Sequence, residues 1–198
     1  MTYDWQLWLE GKLRELAKEK RVFDVGGGHP FQKRMKRYEH IFRGIDYQTL
    51  DASPRYNPTI VGDAHNLPLA DGSVPAILSL STLEHLEDPK RAMDEIYRVL
   101  KPGGKALIYT HFIYPYHARA GAYGDYCRFS EEAMRYLFRD FTHVELKKEG
   151  GWFRAMFFFL PGQKYLRFLG EPLTYVLDKL FKTESRSTTV GFYVYAIK

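Results

Sequence analysis

The segment VFDVGGGHP, at residues 22–30, joins an apolar run to a carboxylate and three consecutive glycines. A glycine-rich turn after a strand lets a ligand approach the backbone closely. The dinucleotide pattern G-x-G-x-x-G is met at Gly26 and Gly28 but fails at Phe31. A pyrophosphate prefers a turn that offers bare N–H groups. The negative charge of Asp24 would repel a pyrophosphate and would favour a cation. The turn therefore predicts a positively charged nucleoside without phosphates.

Two further carboxylates are predicted at strand ends. Asp46 follows Gly26 by 20 residues, a spacing that suits a carboxylate accepting hydrogen bonds from both ribose hydroxyls. Asp63 ends a third apolar run and can accept from an adenine amino group, with the Ala64 backbone beside the ring. Adenine, ribose and a cationic tail together indicate S-adenosylmethionine (SAM) as the ligand.

The elements that must position these carboxylates alternate along the chain. Strands are predicted at 21–26, 41–46, 59–63, 74–80, 105–112, 143–149 and 188–198, and helices at 3–20, 30–38, 88–100 and after Ser130. This alternation predicts an α/β fold, a parallel sheet with helices on both faces, whose ligands bind at the carboxyl ends of the strands. The charged cluster at 33–37 is assigned to a solvated helix face.

Length and composition favour one domain, residues 1–198, with an ordinary core. The formal net charge of +5 is a mild bias toward anionic partners and is not a nucleic-acid signature. The single cysteine, Cys127, permits no internal disulfide and favours a reducing compartment. The N-terminus does not resemble a signal peptide, and apolar runs are shorter than a membrane span. A cytoplasmic protein is expected, with peripheral contact to a membrane left open.

The motifs DVGGG, GID and VGDAHNLPLADGSVPAILSLSTLEHLEDPKRAMDEIYRVLKPGGKALI resemble, in order and spacing, those of class I SAM-dependent methyltransferases, in particular the small-molecule, type 11-like group. The resemblance covers about residues 20–145. It implies a Rossmann-like, seven-stranded sheet in the order 3-2-1-4-5-7-6, with the last strand antiparallel. It also implies S-adenosyl-L-homocysteine as the product. Pro30 departs from the pattern, because many members have a third glycine there.

The resemblance further implies which residues contact SAM. Gly26 and Gly28 would line its methionine part, together with the backbone near Ser81. The full predicted cofactor set is Asp24, Gly26, Gly27, Gly28, Asp46, Tyr47, Asp63, Ala64, His65, Ser81 and Thr82.

The loop after the fifth predicted strand, residues 113–128, concentrates histidines, tyrosines and charged residues at the expected active-site edge. A histidine titrates near neutral pH and suits base catalysis, so His117 is the preferred base. The other catalytic candidates are His111, Tyr126 and Arg128.

Each candidate has a structural alternative. His111 can be a satisfied core histidine, Arg128 can hold Asp125 in place, and Tyr126 can pack instead of stacking on an acceptor. His85 is interpreted as structural or cofactor-side. Because the sequence offers no cluster of acidic ligands, no metal site is predicted.

Two outer segments are expected to cover the site. The N-terminal helix, 1–20, is a candidate cap, and the aromatic, basic segment 151–187 is a candidate lid over a partly apolar substrate. The segment 151–187 can instead contact a membrane, pack on the sheet or form a dimer contact.

The predicted function is methyl transfer from SAM to oxygen or nitrogen of a small-molecule, glycan or lipid-like acceptor. The pattern YPYH…DYCRFS resembles a subgroup associated with glycan, lipid and secondary-metabolite modification. Alternatives are an RNA or protein acceptor, or a SAM-binding regulatory protein without catalysis.

Overall fold

The computed structural model describes residues 2–185 and 188–198. Its strands form a seven-stranded sheet in the order β3-β2-β1-β4-β5-β7-β6. The strands are β1 (Arg21–Val25), β2 (Asp46–Asp51), β3 (Ile60–Val61), β4 (Val74–Leu80), β5 (Leu100–His111), β6 (His143–Lys148) and β7 (Gly191–Ile197). Strand β7 runs antiparallel to both β5 and β6. The predicted fold and strand order are confirmed.

Helices flank the sheet on both faces. They are α1 (Asp4–Ala17), α2 (Pro89–Val99), α3 (Glu131–Leu137), α4 (Trp152–Phe157) and α5 (Gln163–Leu180). Ile77 and Ile108 point to the face covered by α2, and Leu78 and Leu107 to the face covered by α1. The predicted cap of α2 is present, since the Asp88 carboxylate accepts a hydrogen bond from the Arg91 amide at 3.0 Å. Among the described residues, no helix combines the length and the apolar character needed to cross a membrane.

The predicted strand at 41–46 is wrong, and the helix predicted at 30–38 is displaced along the chain. Residues Lys33–Phe42 form a 3₁₀ helix that buries Met35, Tyr38 and Phe42, and the second strand begins only at Asp46. The spacing of those three side chains, by three and four residues, is that of one helix face. The apolar pair Ile41–Phe42 therefore extends the helical pattern and does not start a strand.

The segment after β6 folds as the antiparallel pair α4 and α5, and residues 186 and 187 of the predicted 151–187 segment lie outside the described residues. Gly170 and Pro172, residue types that usually interrupt helices, both lie inside α5. A side chain at Gly170 would clash with the Phe157 ring, so this glycine lets the two helices approach closely.

One buried carboxylate fixes α5 against the start of α4. Asp178 accepts hydrogen bonds from the backbone amides of Gly151 and Phe153, both at 2.9 Å, and of Arg154 at 3.2 Å. These amides are the free donors at the N-terminus of α4, where Gly151 has no side chain to cap them. Asp178 thus supplies the cap from a distant part of the chain.

Candidate functional site

The glycine turn follows β1 directly and lies against β4. Gly26 and Gly28 both have positive φ, at 79° and 56°. A side chain at Gly26 would clash with Thr82, and one at Gly27 would clash with the Asp24 carboxylate. The Thr82 hydroxyl also donates to the carbonyl of Val25 at 3.1 Å. Several predicted cofactor residues are therefore in contact here, around a turn in which Gly26 is exposed and Gly28 is buried.

Asp24 lies beneath this turn and is buried. The Tyr47 hydroxyl donates to its Oδ2 at 2.6 Å. Burial raises the pKa of Asp24 to about 7, with a further contribution from the nearby negative charge of Asp51, while the Tyr47 hydrogen bond and Arg34 oppose the rise. The carboxyl group is thus poised to ionise near neutral pH, and a cation beside it would favour ionisation.

Asp46 was predicted to end the second strand, but it begins that strand. Asp46 pairs with Arg21 at the amino ends of β1 and β2, and the two side chains form an exposed ion pair at 2.6 Å. The acidic residue at the carboxyl end of β2 is Asp51, which accepts a hydrogen bond from the Ser53 amide at 2.9 Å. Burial raises its pKa. Asp51 was missed because DYQTLD, the β2 sequence, has a weaker apolar pattern than IFRGID.

Asp63 follows the short strand β3 and is oriented by its neighbour His65. Its Oδ1 accepts from the His65 amide at 2.9 Å and from the ring Nδ1 at 2.7 Å. These two hydrogen bonds hold the pKa of Asp63 below its ordinary value. The other ring nitrogen accepts from the Asp88 amide at 3.3 Å. Ala64 between them is buried, so this segment has a fixed shape at the edge of the sheet.

Arg34 was not predicted in the site, since the cluster 33–37 was assigned to solvent. Its guanidinium lies over the Tyr109 ring at 4.5 Å and donates to the Tyr193 hydroxyl at 3.2 Å. It also donates to the hydroxyl of Ser81, whose backbone has a positive φ of 61°. Arg34 therefore provides a positive charge beside the predicted methionine end of the cofactor crevice.

A buried ion pair, Glu149 with Arg154, lies near Arg34. Glu149 contacts Arg154 at 2.9 Å, and both side chains are almost fully buried. Burial alone would raise the pKa of Glu149, but the charges of Arg154 and Arg34 outweigh it and hold the pKa below its ordinary value. These residues come from distant elements, so sequence spacing gave no signal for the network.

A second polar cluster lies where β4 and β5 end. Glu84 is fully buried and accepts hydrogen bonds from the Thr110 hydroxyl at 2.8 Å and from His111 Nδ1 at 2.6 Å. Burial opposes its ionisation, but the hydrogen bond and charge of His111 hold the pKa of Glu84 below its ordinary value. The predicted base His111 is therefore oriented by a buried carboxylate.

His117 lies in the loop 113–128 with its two ring nitrogens in different surroundings. Nδ1 faces the Pro115 carbonyl at 3.0 Å and Asp125 Oδ2 at 3.3 Å. Nε2 is buried and has no hydrogen-bond partner among the described residues. Burial, the largest influence, lowers the pKa of His117. Burial therefore favours the neutral imidazole, in which Nε2 has an available lone pair when Nδ1 carries the proton.

Arg128 shapes this loop. Its five donors go to both oxygens of Asp125 and to the carbonyls of Tyr114, Pro115 and Cys127. The structural alternative for Arg128 thus agrees with its contacts. Tyr126 is exposed, and its hydroxyl donates to Glu87 at 2.9 Å.

The strand order and the glycine turn at the carboxyl end of β1 define the class I methyltransferase fold. Residues 23–108 match the protein family described as Methyltransferase domain. The predicted resemblance to class I SAM-dependent methyltransferases is therefore confirmed.

An uncharacterized methyltransferase from Mycobacterium sp. (strain KMS) is 34% identical over 128 residues, which cover 58% of this chain and 48% of that protein. The chain spans about half the length of the first curated relatives it matches.

Solved structures share the fold at low sequence identity. A SAM-dependent methyltransferase from Archaeoglobus fulgidus superposes with a TM-score of 0.61 at 14% identity, covering 97% of this chain and 94% of that one. Phosphoethanolamine N-methyltransferase 2 from Haemonchus contortus, in complex with phosphomonomethylethanolamine and S-adenosylhomocysteine, gives 0.58 at 16% identity, covering 95% and 53%.

The Asp24 pKa predicts how stability depends on pH. The folded-state pKa is about 7, and an unfolded aspartate has a pKa of about 3.9. Between these values the folded state binds more protons, so the contribution of Asp24 to stability is complete below about pH 4 and is lost as pH rises to about 7. Relative to Asp24→Asn, the wild-type free energy of unfolding should fall across this window by on the order of 4 kcal/mol, at about 1.4 kcal/mol per pH unit.

Chemical denaturation of both proteins from pH 4 to pH 8 measures this difference. Tyr47→Phe is the matched variant: it removes the hydrogen bond that lowers the pKa of Asp24, so the upper end of the window should move to higher pH. Parallel stability profiles for wild type and Asp24→Asn would contradict the assignment.

Proposed function

We propose that this protein transfers a methyl group from SAM to oxygen, or nitrogen, of a small-molecule, glycan or lipid-like acceptor and releases S-adenosylhomocysteine. The observation that carries the proposal is the set of carboxylates near the carboxyl ends of three adjacent strands, Asp24 in β1, Asp51 at the end of β2 and Asp63 after β3, beside the glycine turn. A cationic adenosine derivative without phosphates complements that edge.

Each part of SAM has a proposed partner. Asp51 accepts hydrogen bonds from the ribose hydroxyls, and Asp63 with Ala64 recognises the adenine edge. Asp24 lies toward the sulfonium and ammonium charges of the methionine part. Arg34, beside Ser81, is the cation available for the carboxylate of that part.

Methyl transfer needs alignment and, for a hydroxyl acceptor, loss of a proton. The acceptor atom attacks the methyl carbon while the sulfonium sulfur leaves with its bonding electron pair as a thioether. Among the two predicted bases, the hydrogen bonds favour His111, because its Nδ1–H donates to Glu84 and leaves Nε2 as the proton acceptor.

The surface of α5 supports an acceptor that is partly apolar. Tyr165, Phe168, Leu169 and Leu173 recur at helical spacing and are 79%, 89%, 70% and 58% exposed. Such an apolar face on a helix usually contacts a substrate, a partner or a lipid surface. We assign it to the acceptor, as the lid expected over residues 151–187.

Calorimetric titration with SAM tests the proposed cofactor site. Asp51→Asn should weaken binding by about 1.5–3 kcal/mol, the loss expected for charge-assisted hydrogen bonds, or roughly 10- to 150-fold in Kd. Asp46→Asn is the matched control and should bind as wild type does, because Asp46 lies at the opposite edge of the sheet. A larger loss from Asp46→Asn than from Asp51→Asn would overturn the revised placement, and failure of wild type to bind SAM would overturn the function.

The role of α5 is tested with SAM labelled in the methyl group and a cell extract as the source of acceptor. The double change Phe168→Ser and Leu169→Ser should leave SAM affinity unchanged and reduce label transfer at least about tenfold, a loss of about 1.4 kcal/mol in transition-state stabilisation. The control is Leu7→Ser, on the exposed side of α1. Unchanged transfer would reject the lid, and binding to anionic vesicles that only the double variant loses would reassign this face to a membrane surface.

A further inference from the structure

The end of β4 and the loop after β5 place three metal-ligating side chains together. One ligand atom from each of Glu84, His85 and His117 lies within 4.8 Å of the other two. The rings of His85 and His117 are 4.8 Å apart and almost perpendicular. The two histidines are far apart in sequence, so no motif of metal-ligand spacing marks them, and the sequence predicted no metal site.

His85 is oriented by a hydrogen bond from one of its ring nitrogens. Its Nδ1 lies 2.6 Å from the carbonyl oxygen of Gly124. A carbonyl oxygen only accepts hydrogen bonds, so Nδ1 must carry the proton and Nε2 keeps its lone pair. A hydrogen bond from the outer nitrogen to a backbone carbonyl is the usual support of a histidine that binds a metal.

In His117, as in His85, one ring nitrogen carries the proton and the other keeps its lone pair. Its Nδ1 faces two acceptors, the Pro115 carbonyl and the Asp125 carboxylate, and therefore carries the proton. Its Nε2 is buried without a hydrogen-bond partner in the described part of the chain. Buried polar atoms are nearly always paired, so this nitrogen calls for a ligand that the protein itself does not supply. Arg128 fixes Asp125, which keeps the ring in place.

Glu84 completes the set with a buried anionic oxygen. Hydrogen bonds from Thr110 and His111 orient its carboxylate, as outer partners do for ligating carboxylates. Each carboxylate oxygen has a second lone pair, so these hydrogen bonds leave Glu84 able to bind an ion.

We propose that Glu84, His85 and His117 bind a divalent transition-metal ion of the Zn²⁺ or Co²⁺ type. Two imidazole nitrogens and one carboxylate oxygen suit such ions, whereas Ca²⁺ and Mg²⁺ prefer oxygen ligands alone. A tetrahedral ion with bonds of about 2.0–2.1 Å holds its donors roughly 3.4 Å apart, so the side chains must close in slightly on binding.

Three protein ligands leave a coordination position open. A cleft of about 560 Å³, lined by residue 116 and residues 118–124, lies beside the cluster, and the ring of Tyr123 contacts that of His85 at 4.4 Å. We expect a water or an oxygen of a small molecule to occupy the open position. The site does not depend on methyl transfer, and either proposal can fail alone.

Metal binding to the tag-free chain of residues 1–198 tests the site directly. After removal of metals by chelation, calorimetric titration with Zn²⁺ should show one equivalent bound, and Co²⁺ should give visible d–d absorption typical of nitrogen and oxygen ligands. His85→Ala and His117→Ala should each weaken binding by more than the 10- to 100-fold loss typical of outer-shell partners.

His143→Ala is the matched control, because His143 is an exposed histidine paired with Glu145 at 2.9 Å, and it should bind one equivalent as tightly as wild type. His117→Gln is a second variant that removes the metal-binding imidazole. Thermal unfolding of every variant shows whether weaker metal binding comes from the missing side chain or from loss of the fold. Binding that is absent in wild type, or equally strong in folded His85 and His117 variants, would overturn the proposal.

Discussion

Burying an ionised carboxyl group costs free energy, and this protein buries such groups where the parallel strands of its sheet have their carboxyl ends. The rest of the structure depends on how that cost is met. Asp24 is buried, lies near a second carboxylate at Asp51 and has a pKa raised to about 7. The protein offsets this only in part, with the Tyr47 hydroxyl and the charge of Arg34. A cation bound beside the glycine turn would favour both ionised groups.

The same constraint organises the neighbouring end of β4 and β5. Glu84 is buried there as well, but Thr110 and His111 satisfy it within the protein. That arrangement fixes His111 and ties the backbone of the loop 113–128 to Glu84, whose carbonyl accepts from the Tyr126 amide at 2.8 Å. The proposed cofactor edge and the proposed acceptor edge therefore lie at adjacent strand ends, each around a buried carboxylate.

The sequence predicted most of the fold, because apolar runs and capping residues are local signals. The strand at 74–80 and the cap at Asp88 follow from such signals. The second strand was misplaced because IFRGID looks more strand-like than DYQTLD, so the carboxylate expected at the end of that strand was assigned to Asp46 and not to Asp51. Arg34 and the cluster around His117 could not be predicted, since their roles come from contacts between elements distant in sequence.

The most direct test of the central claim is a crystal structure of the protein with S-adenosylhomocysteine bound. The account predicts the ribose hydroxyls within hydrogen-bond distance of Asp51, the adenine beside Asp63, and the amino acid part over the turn that begins at Gly26. Density for the nucleoside at the opposite edge near Asp46, or a crevice that stays empty at saturating ligand, would contradict it.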